Sequence, residues 1–413
     1  EASIAPDGTL KTAVTAKMQE GSATYEITEG TIKQSNLFHS FERFNLLQNE
    51  NALFKGPDSI SNIISRVTGG STSSIFGTIS SDISGADLFL INPSGFLFGP
   101  DASLDISGSF HVSTANSLRF QDGSTFFADP GQDSVLSTAP PEAFGFLKSN
   151  PASIHAEACT LEVLQDEGLS FSAGDLQIDQ GTLKAPGGNI QLVAVKAPGE
   201  VGADWSTPEL PDNPGDITMT QESELDAKGP GGGTIWIRSG RLVLNDSNVS
   251  VSGADADVPP SQAGQGLDVQ TDVEVILENS SLFMANLFEQ LSTVSDSIAI
   301  RTPRLHVFDG SQLQALAFTG SLGPGAGIEI AAEDIVCQNG AIIQTGTAGS
   351  GPGGDIEITT SNLSLIDGGL ILSKAFGGSG QGGDIRVQAT DIDIINTTDP
   401  TLFTALTTQT YTG

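Results

Sequence analysis

Four histidines (His39, His111, His155 and His306), two cysteines (Cys159 and Cys337) and 50 carboxylates are the side chains of this 413-residue chain that could do chemistry. Their spacing offers little. No histidine pair has the H-E-x-x-H spacing that sets two imidazoles on one helix face for zinc. No G-x-S-x-G elbow presents a nucleophilic serine. Carboxylate pairs for glycoside hydrolysis are defined by distance in space, so sequence leaves them open. Most of the acids alternate with apolar residues, the pattern of a solvated strand face. Gly377–Asp384 resembles a glycine-rich calcium loop but lacks the nine-residue recurrence such sites need, and reads as a solvated loop. Trp236, between Ile235 and Ile237 on an alternating stretch, reads as buried or half-buried. Trp205, among Pro and Asp, reads as a surface anchor. The cysteines lie far apart in sequence and read as two buried small apolar residues with no bond between them. The expectation is therefore no catalytic residue, no cofactor and no metal.

Charge narrows the partners. With 17 basic and 50 acidic residues the net charge is −33, which repels nucleic acid and anionic lipid surfaces alike. No run of about 18 apolar residues exists to form a membrane-spanning helix. Two cysteines cannot make a disulfide scaffold. Residue 1 is Glu, with no basic and apolar leader after it, which reads as a mature or recombinant product.

The elements that would position any site are short strands. Asp87–Ile91, Thr234–Arg238 and Asp355–Thr359 alternate apolar and polar residues and break at Gly, Asn, Asp or Pro. Helical turns are expected only at Ser59–Val67 and Asn286–Val294. A unit of Gly, polar, Ile, polar, Ile/Val recurs: Ile385, Ile356, Ile328, Ile298 and Val269 follow one another at 28 to 30 residues. Such a period marks one supersecondary unit per repeat. The last full copy divides into three strands, Asp355–Thr360, Leu363–Asp367 and Leu370–Ala375, with Asn, Asp or Gly corners. These are the coils of a β-solenoid, in which stacking buries a face that one coil cannot bury alone. The 49 glycines fit recurrent corners. Residues 75–128, with strands at Ser117–Phe120 and Thr125–Ala128 among others, read as its regular start. Residues 1–58 read as an N-terminal cap over the open edge, and 253–266 as a surface excursion. The end, Thr401–Gly413, shows no polar cap, which reads as a longer parent chain.

The sharpest local motif is Asn92-Pro93-Ser94-Gly95. Asn at i, Pro at i+1 and Gly at i+3 suit a type I turn, with the Asn side chain accepting from the amide two residues on. Taken with Phe41-Glu-Arg-Phe44-Asn45-Leu46, Ile64-Ser-Arg66-Val67 and Ile75-Phe-Gly-Thr-Ile79, and continuing through Phe98-Gly-Pro100 to Ser109–Thr114, it resembles the secretion domain of filamentous haemagglutinin-type exoproteins of two-partner secretion systems. The resemblance covers roughly residues 20–160 and is nearest the cyanobacterial branch of that family. Ser94 stands where the family has Asn, and a second Asn-Pro-Asn-Leu motif is not visible between Asn45 and Ile75.

That resemblance implies an all-β, right-handed parallel β-helix with an N-terminal cap. It divides into a secretion domain at 1–160 and a β-helical repeat shaft at 161–413. It also implies a partner, an outer-membrane barrel transporter that reads the domain through periplasmic modules, and a place outside the cell or on its surface. Transporter recognition or a folding nucleus is expected at Phe41, Phe44, Asn45, Arg66, Asn92, Pro93, Ser94 and Gly95. The shaft is expected to serve as an adhesin for a cell-surface or carbohydrate ligand. The rival reading is a secreted β-helix lyase or glycoside hydrolase.

Overall fold

Alternating sequences such as Ile356-Glu-Ile-Thr359 can bury one face and wet the other only as strands. In the computed structural model Ile356 and Ile358 are buried while Glu357 is exposed. The structure describes residues 3–19, 21–229, 232–252, 265–286, 297–318, 325–397 and 401–411, and among these there is no helix. The chain divides into two compact units, Glu1–Ala185 with Gln191–Ile217, and Pro186–Ile190 with Thr218–Gly413.

The second unit is a parallel β-helix of three-stranded coils. Ile356–Thr359, Asn362–Ile366 and Leu370–Phe376 form one coil, and each strand pairs in parallel with its counterpart in the coil before it. Leu267, Ile298, Ile328, Ile356 and Ile385 make one row down the stack. Val269 was expected opposite Ile298 but pairs with Ile300. A slip of two residues leaves the same side chains on the same face, so alternation alone cannot fix it. The corners after the second strand are Asp309-Gly310, Asn339-Gly340 and Asp367-Gly368, each pair with positive φ. Asn339 Nδ2 donates to Asp309 Oδ1 at 2.8 Å. Ser247 N donates to Ser280 Oγ, and Ser280 N to Ser311 Oγ, both at 3.0 Å. The turning backbone is thus satisfied from coil to coil.

The glycine-rich segment at 377–384 is a third corner. Residues 377–379 are exposed as expected of a solvated loop, but Gly380 and Gly383 are buried. A Cβ on Gly383 would stand 2.1 Å from the Gly354 carbonyl oxygen, so the close stacking of coils requires glycine there.

The first unit begins with a cap. Thr12–Gln19 and Ser22–Glu29 form an antiparallel hairpin, and Ile4–Pro6 lies antiparallel to Asn36–Phe44. The expected cap over 1–58 is too long. Asn36–Phe44 already pairs in parallel with Asn62–Val67, and Glu50–Phe54 joins Ser22–Glu29 to Thr78–Ser81. The first coil therefore opens at residue 36. Parallel pairing continues through Asp87–Ile91, Phe110–Ser113 and Leu169–Ala173.

Two further expectations fail for one reason. Ser59–Val67 is not a helical turn; Asn62–Val67 is a strand with every residue buried. Its helix-like spacing, Ile60, Ile63, Ile64 and Val67, arises because both faces are covered. Ser117–Phe120 and Thr125–Phe127 are not coil strands either. They pair antiparallel with each other, and Ser117–Phe120 also pairs antiparallel with Pro141–Phe146, which continues to Gly199–Gly202. The four residues between the first two allow only an antiparallel return. This sheet lies on the outside of the coils and builds a second core. Phe38, Ile64, Phe89 and Ile91 meet Leu118, Phe120, Phe126 and Phe144 there. The segment from residue 287 to Val294 of the other expected helical turn, and residues 253–264 of the excursion, lie outside the described residues.

Candidate recognition and folding site

The turn at Asn92 forms as its residue types require. Gly95 N donates to Asn92 O at 3.0 Å, and Ser94 N to Asn92 Oδ1 at 2.9 Å. The Asn92 side chain is fully buried, and its Nδ2 donates to Ser71 O at 2.9 Å and Ser73 Oγ at 3.0 Å. Asn92 thereby ties its own corner to that of the preceding coil. Gly95 sits at φ +101°, where a Cβ would approach Ser153 O to 2.9 Å. Pro93 and Ser94 are half-buried and line a groove of about 280 Å³ with Val67, Asn116, Asp129 and Leu147.

Phe41 and Phe44 point inward. Both are fully buried, their rings 5.1 Å apart edge to face, and each reaches Phe54, at 6.4 and 6.1 Å. Asn45 is half-buried; its Oδ1 accepts from Ser74 N and its own N donates to Ser3 O, both at 2.9 Å. It holds the N-terminal segment with its backbone and the next coil with its side chain.

Arg66 is 4% exposed and gathers three parts of the chain. Its Nε donates to Ser40 Oγ at 2.8 Å, Nη1 to Phe127 O at 2.6 Å, and Nη2 to Thr9 Oγ1 at 3.0 Å. The guanidinium also lies over the Phe126 ring, 4.8 Å from its centre. Burial lowers its pKa, opposed by the charges of Asp7 and Asp129. Burial acts to raise the Asp7 pKa, but hydrogen bonds from Ser40, Thr9 and Thr68 outweigh it and hold the carboxyl below its usual value.

The named residues do not form one surface. Phe41 and Phe44 are inside the coil. Arg66 and Asn45 join segments, and only Pro93 and Ser94 border a groove. The sequence reading missed Asp7, Thr9 and Ser40, which complete the Arg66 network, and Phe38, Phe120 and Phe126 of the outer core. The available signal was the crowd of phenylalanines at 120–146, too many for one coil interior.

Both thiols and two of the four histidines are buried. Burial pushes the Cys159 thiol up to about 11 and the Cys337 thiol up to about 12, and both are free. Burial lowers His39 to about 4 and His111 to about 3. The His111 ring is stacked on Phe89 at 4.2 Å, and the half-buried Trp205, expected as a surface anchor, packs 4.8 Å away. Trp236 is buried as expected. Asp87 is raised to about 6 by burial, with Glu167 adding to the rise and the Ser109 amide opposing it. Ser109 bridges the two acids, its N donating to Asp87 and its Oγ to Glu167, both at 2.8 Å. Among the described residues no three His, Cys, Asp or Glu stand together as metal ligands.

Comparison with known proteins places this geometry. A family model described as the TPS secretion domain matches residues 2–208. The HMW1 secretion domain from Haemophilus influenzae aligns with a TM-score of 0.53 at 15% identity, covering 97% of this chain and 97% of that one. At that identity the likeness speaks for the β-helical fold. The filamentous hemagglutinin secretion domain aligns at a TM-score of 0.34 and 13% identity, covering 96% of this chain and 100% of that one. Comparison with curated proteins gives no match.

Proposed function

Because the chain belongs to the two-partner secretion domain family, we propose that its N-terminal coils address it to a transporter and that its later coils are an exposed adhesive shaft. Family membership makes it a secreted exoprotein that crosses the outer membrane to the cell surface or the medium, and makes its partner an outer-membrane transporter. The match over residues 2–208 carries the reading, with the closed Asn92–Gly95 turn at its centre.

Within that route we assign residues 1–160 to the address and 161–413 to the shaft. Phe41, Phe44 and Asn45 are readable while the chain is extended and vanish into the first coil as it folds. Asn92, Pro93, Ser94 and Gly95 fix a corner between coils, and Arg66 closes the cap. Each coil that folds outside buries apolar surface at about 25 cal/mol per Å², which favours forward movement without ATP. The ligand we infer for the shaft is a cell-surface group or carbohydrate. We also infer a non-catalytic role, supported by histidines held neutral in the core and by thiols raised far above neutral pH.

The test replaces Phe44, Asn45 and Asn92 together by Ala in cells that carry the transporter. Export should fall severalfold while the intracellular precursor persists. Undiminished export removes these residues from recognition. Cleavage of a polysaccharide by the purified chain would restore the enzymatic reading.

A further inference from the structure

A chain of net charge −33 places its acids unevenly. In the second unit two of the three coil faces are ionic. One carries Asp268, Arg301, Glu329, Glu357 and Arg386, with Arg301–Asp268 paired at 2.9 Å and Arg386–Asp355 at 2.8 Å. The next carries Glu274, Arg304, Asp334, Asp391 and Asp393. The third face opens with Glu224–Asp226, which carries two acids, and continues through six strands, Asn248–Ser252, Ser281–Asn286, Gln312–Ala317, Ile342–Thr347, Leu370–Phe376 and Ala405–Tyr411, paired in parallel in that order. These six strands contain no Asp or Glu and one cation, Lys374.

The outward rows of that face are amide, hydroxyl and apolar. Ser250, Phe283, Gln314, Gln344, Leu372 and Thr407 are successive partners along its middle. Gln314 and Gln344, half-buried and in register, stand at its centre. Toward one margin Leu316 and Phe376 close over Gly346, where a Cβ would meet them at 3.3 and 2.9 Å. Lys374 Nζ lies over the Phe376 ring at 5.5 Å.

We propose that this uncharged face is a self-association surface on which a second copy of the chain packs, sheet against sheet. Charge decides the occupant. Two copies meeting on either ionic face would have to bury charged side chains, in addition to overcoming their overall repulsion. The six strands from Asn248 to Tyr411 on the third face let sheets approach to the roughly 10 Å of face-to-face packing without burying a carboxylate. A two-fold axis between Gln314 and Gln344 brings Gln314 of each copy to Gln344 of the other, the self-complementary arrangement of an isologous dimer. Six strands about 4.8 Å apart and about 20 Å long offer about 500 Å² per copy, about 1,000 Å² in all. That is the lower limit for specific association, so the dimer is expected to be weak and to form only at micromolar concentration or above.

Sedimentation of the full chain from about 1 to 200 μM, at about 0.05 and 0.5 M NaCl, tests this. Dimer should grow with concentration and tighten severalfold in high salt, because screening weakens the repulsion between copies. Gln344→Glu should weaken the dimer at least about tenfold by burying a carboxylate. Ser364→Glu, which adds the same charge on the neighbouring face, should change it less than about threefold, since an exposed charge there is screened. Mixing Gln344→Glu with Gln344→Lys protein should restore association between the two variants, which excludes misfolding as the cause of the loss. A chain monomeric at about 200 μM in high salt overturns the proposal, as does equal loss in the two Glu variants. A monomer whose migration is slowed by a neutral polysaccharide gel, and no longer slowed after Gln344→Glu, would give the face to a glycan and overturn it likewise. None of these outcomes depends on the export route.

Discussion

Arg66 Nη2 donates to Thr9 Oγ1 across 3.0 Å and so fastens the N-terminal segment to the strand Asn62–Val67. The same guanidinium holds Ser40 of the first coil and the Phe127 carbonyl of the outer sheet. Removing it leaves buried acceptors without donors. Arg66→Ala should therefore cost about 2–4 kcal/mol. Urea unfolding reads the loss. A change below about 0.5 kcal/mol would show that the network holds nothing.

Two buried histidines and one buried acid carry the largest shifts that bear on the response to acid. His39 and His111 have folded-state pKa values of about 4 and 3, below the usual 6.5. Their unfolded forms bind protons that the folded forms refuse, so their contribution is lost as pH falls from 6.5 toward those values. Asp87, raised to about 6, works in the opposite sense: its contribution is complete below 3.8 and is lost as pH rises through 6. Near pH 5 the balance is about one proton, or about 1.4 kcal/mol of stability gained per pH unit upward. Asp87→Asn, which keeps the acceptor for the Ser109 amide, should steepen the slope toward two protons. Unfolding free energies measured from pH 4 to 6.5 give the slope directly. A flat profile contradicts the burial of both imidazoles.

Gly95 and Gly123 both have positive φ, +101° and +80°, but differ in surroundings. A Cβ at Gly123 meets nothing within 4 Å, whereas at Gly95 it meets Ser153 O at 2.9 Å. Gly123→Ala should cost about 1 kcal/mol for the backbone alone, and Gly95→Ala about 1–3 kcal/mol more. Equal thermal shifts in the two variants would show that coils do not meet as closely at the turn.

Asn92 uses its amide as donor and its carbonyl as acceptor. Aspartate can keep the acceptor but sets a buried carboxylate against the Ser71 carbonyl. Asn92→Asp should therefore destabilise at neutral pH at least as much as Asn92→Ala, by about 2–3 kcal/mol, and recover as pH falls and the carboxyl protonates. Paired denaturation curves at pH 4 and 7 separate the variants. Equal behaviour at both pH values would mean that Asn92 Nδ2 makes no bond that matters.

The coils of the second unit were legible because their chemistry repeats. Ile298, Ile328, Ile356 and Ile385 share a row, and Asp-Gly or Asn-Gly marks the same corner in successive coils. Register was less legible, as Val269 shows, since alternation is blind to a two-residue slip. The first unit hid more. Asn62–Val67 is buried on both faces and so imitates helical spacing, and the sheet that buries it, Ser117–Phe120 with its partners, imitates coil strands. The Asn92–Gly95 turn was visible because its geometry is local. The Arg66 network was not, because Thr9, Ser40 and Phe127 come together only through the fold.

The most direct measurement is export itself: the chain, preceded by a cleavable signal, expressed with and without its outer-membrane barrel and assayed in the medium by protease-resistant mass. With the barrel, a folded, protease-resistant product should accumulate outside. Without it, the chain should stay in the periplasm and be degraded. Equal export in both strains would contradict the two-partner route.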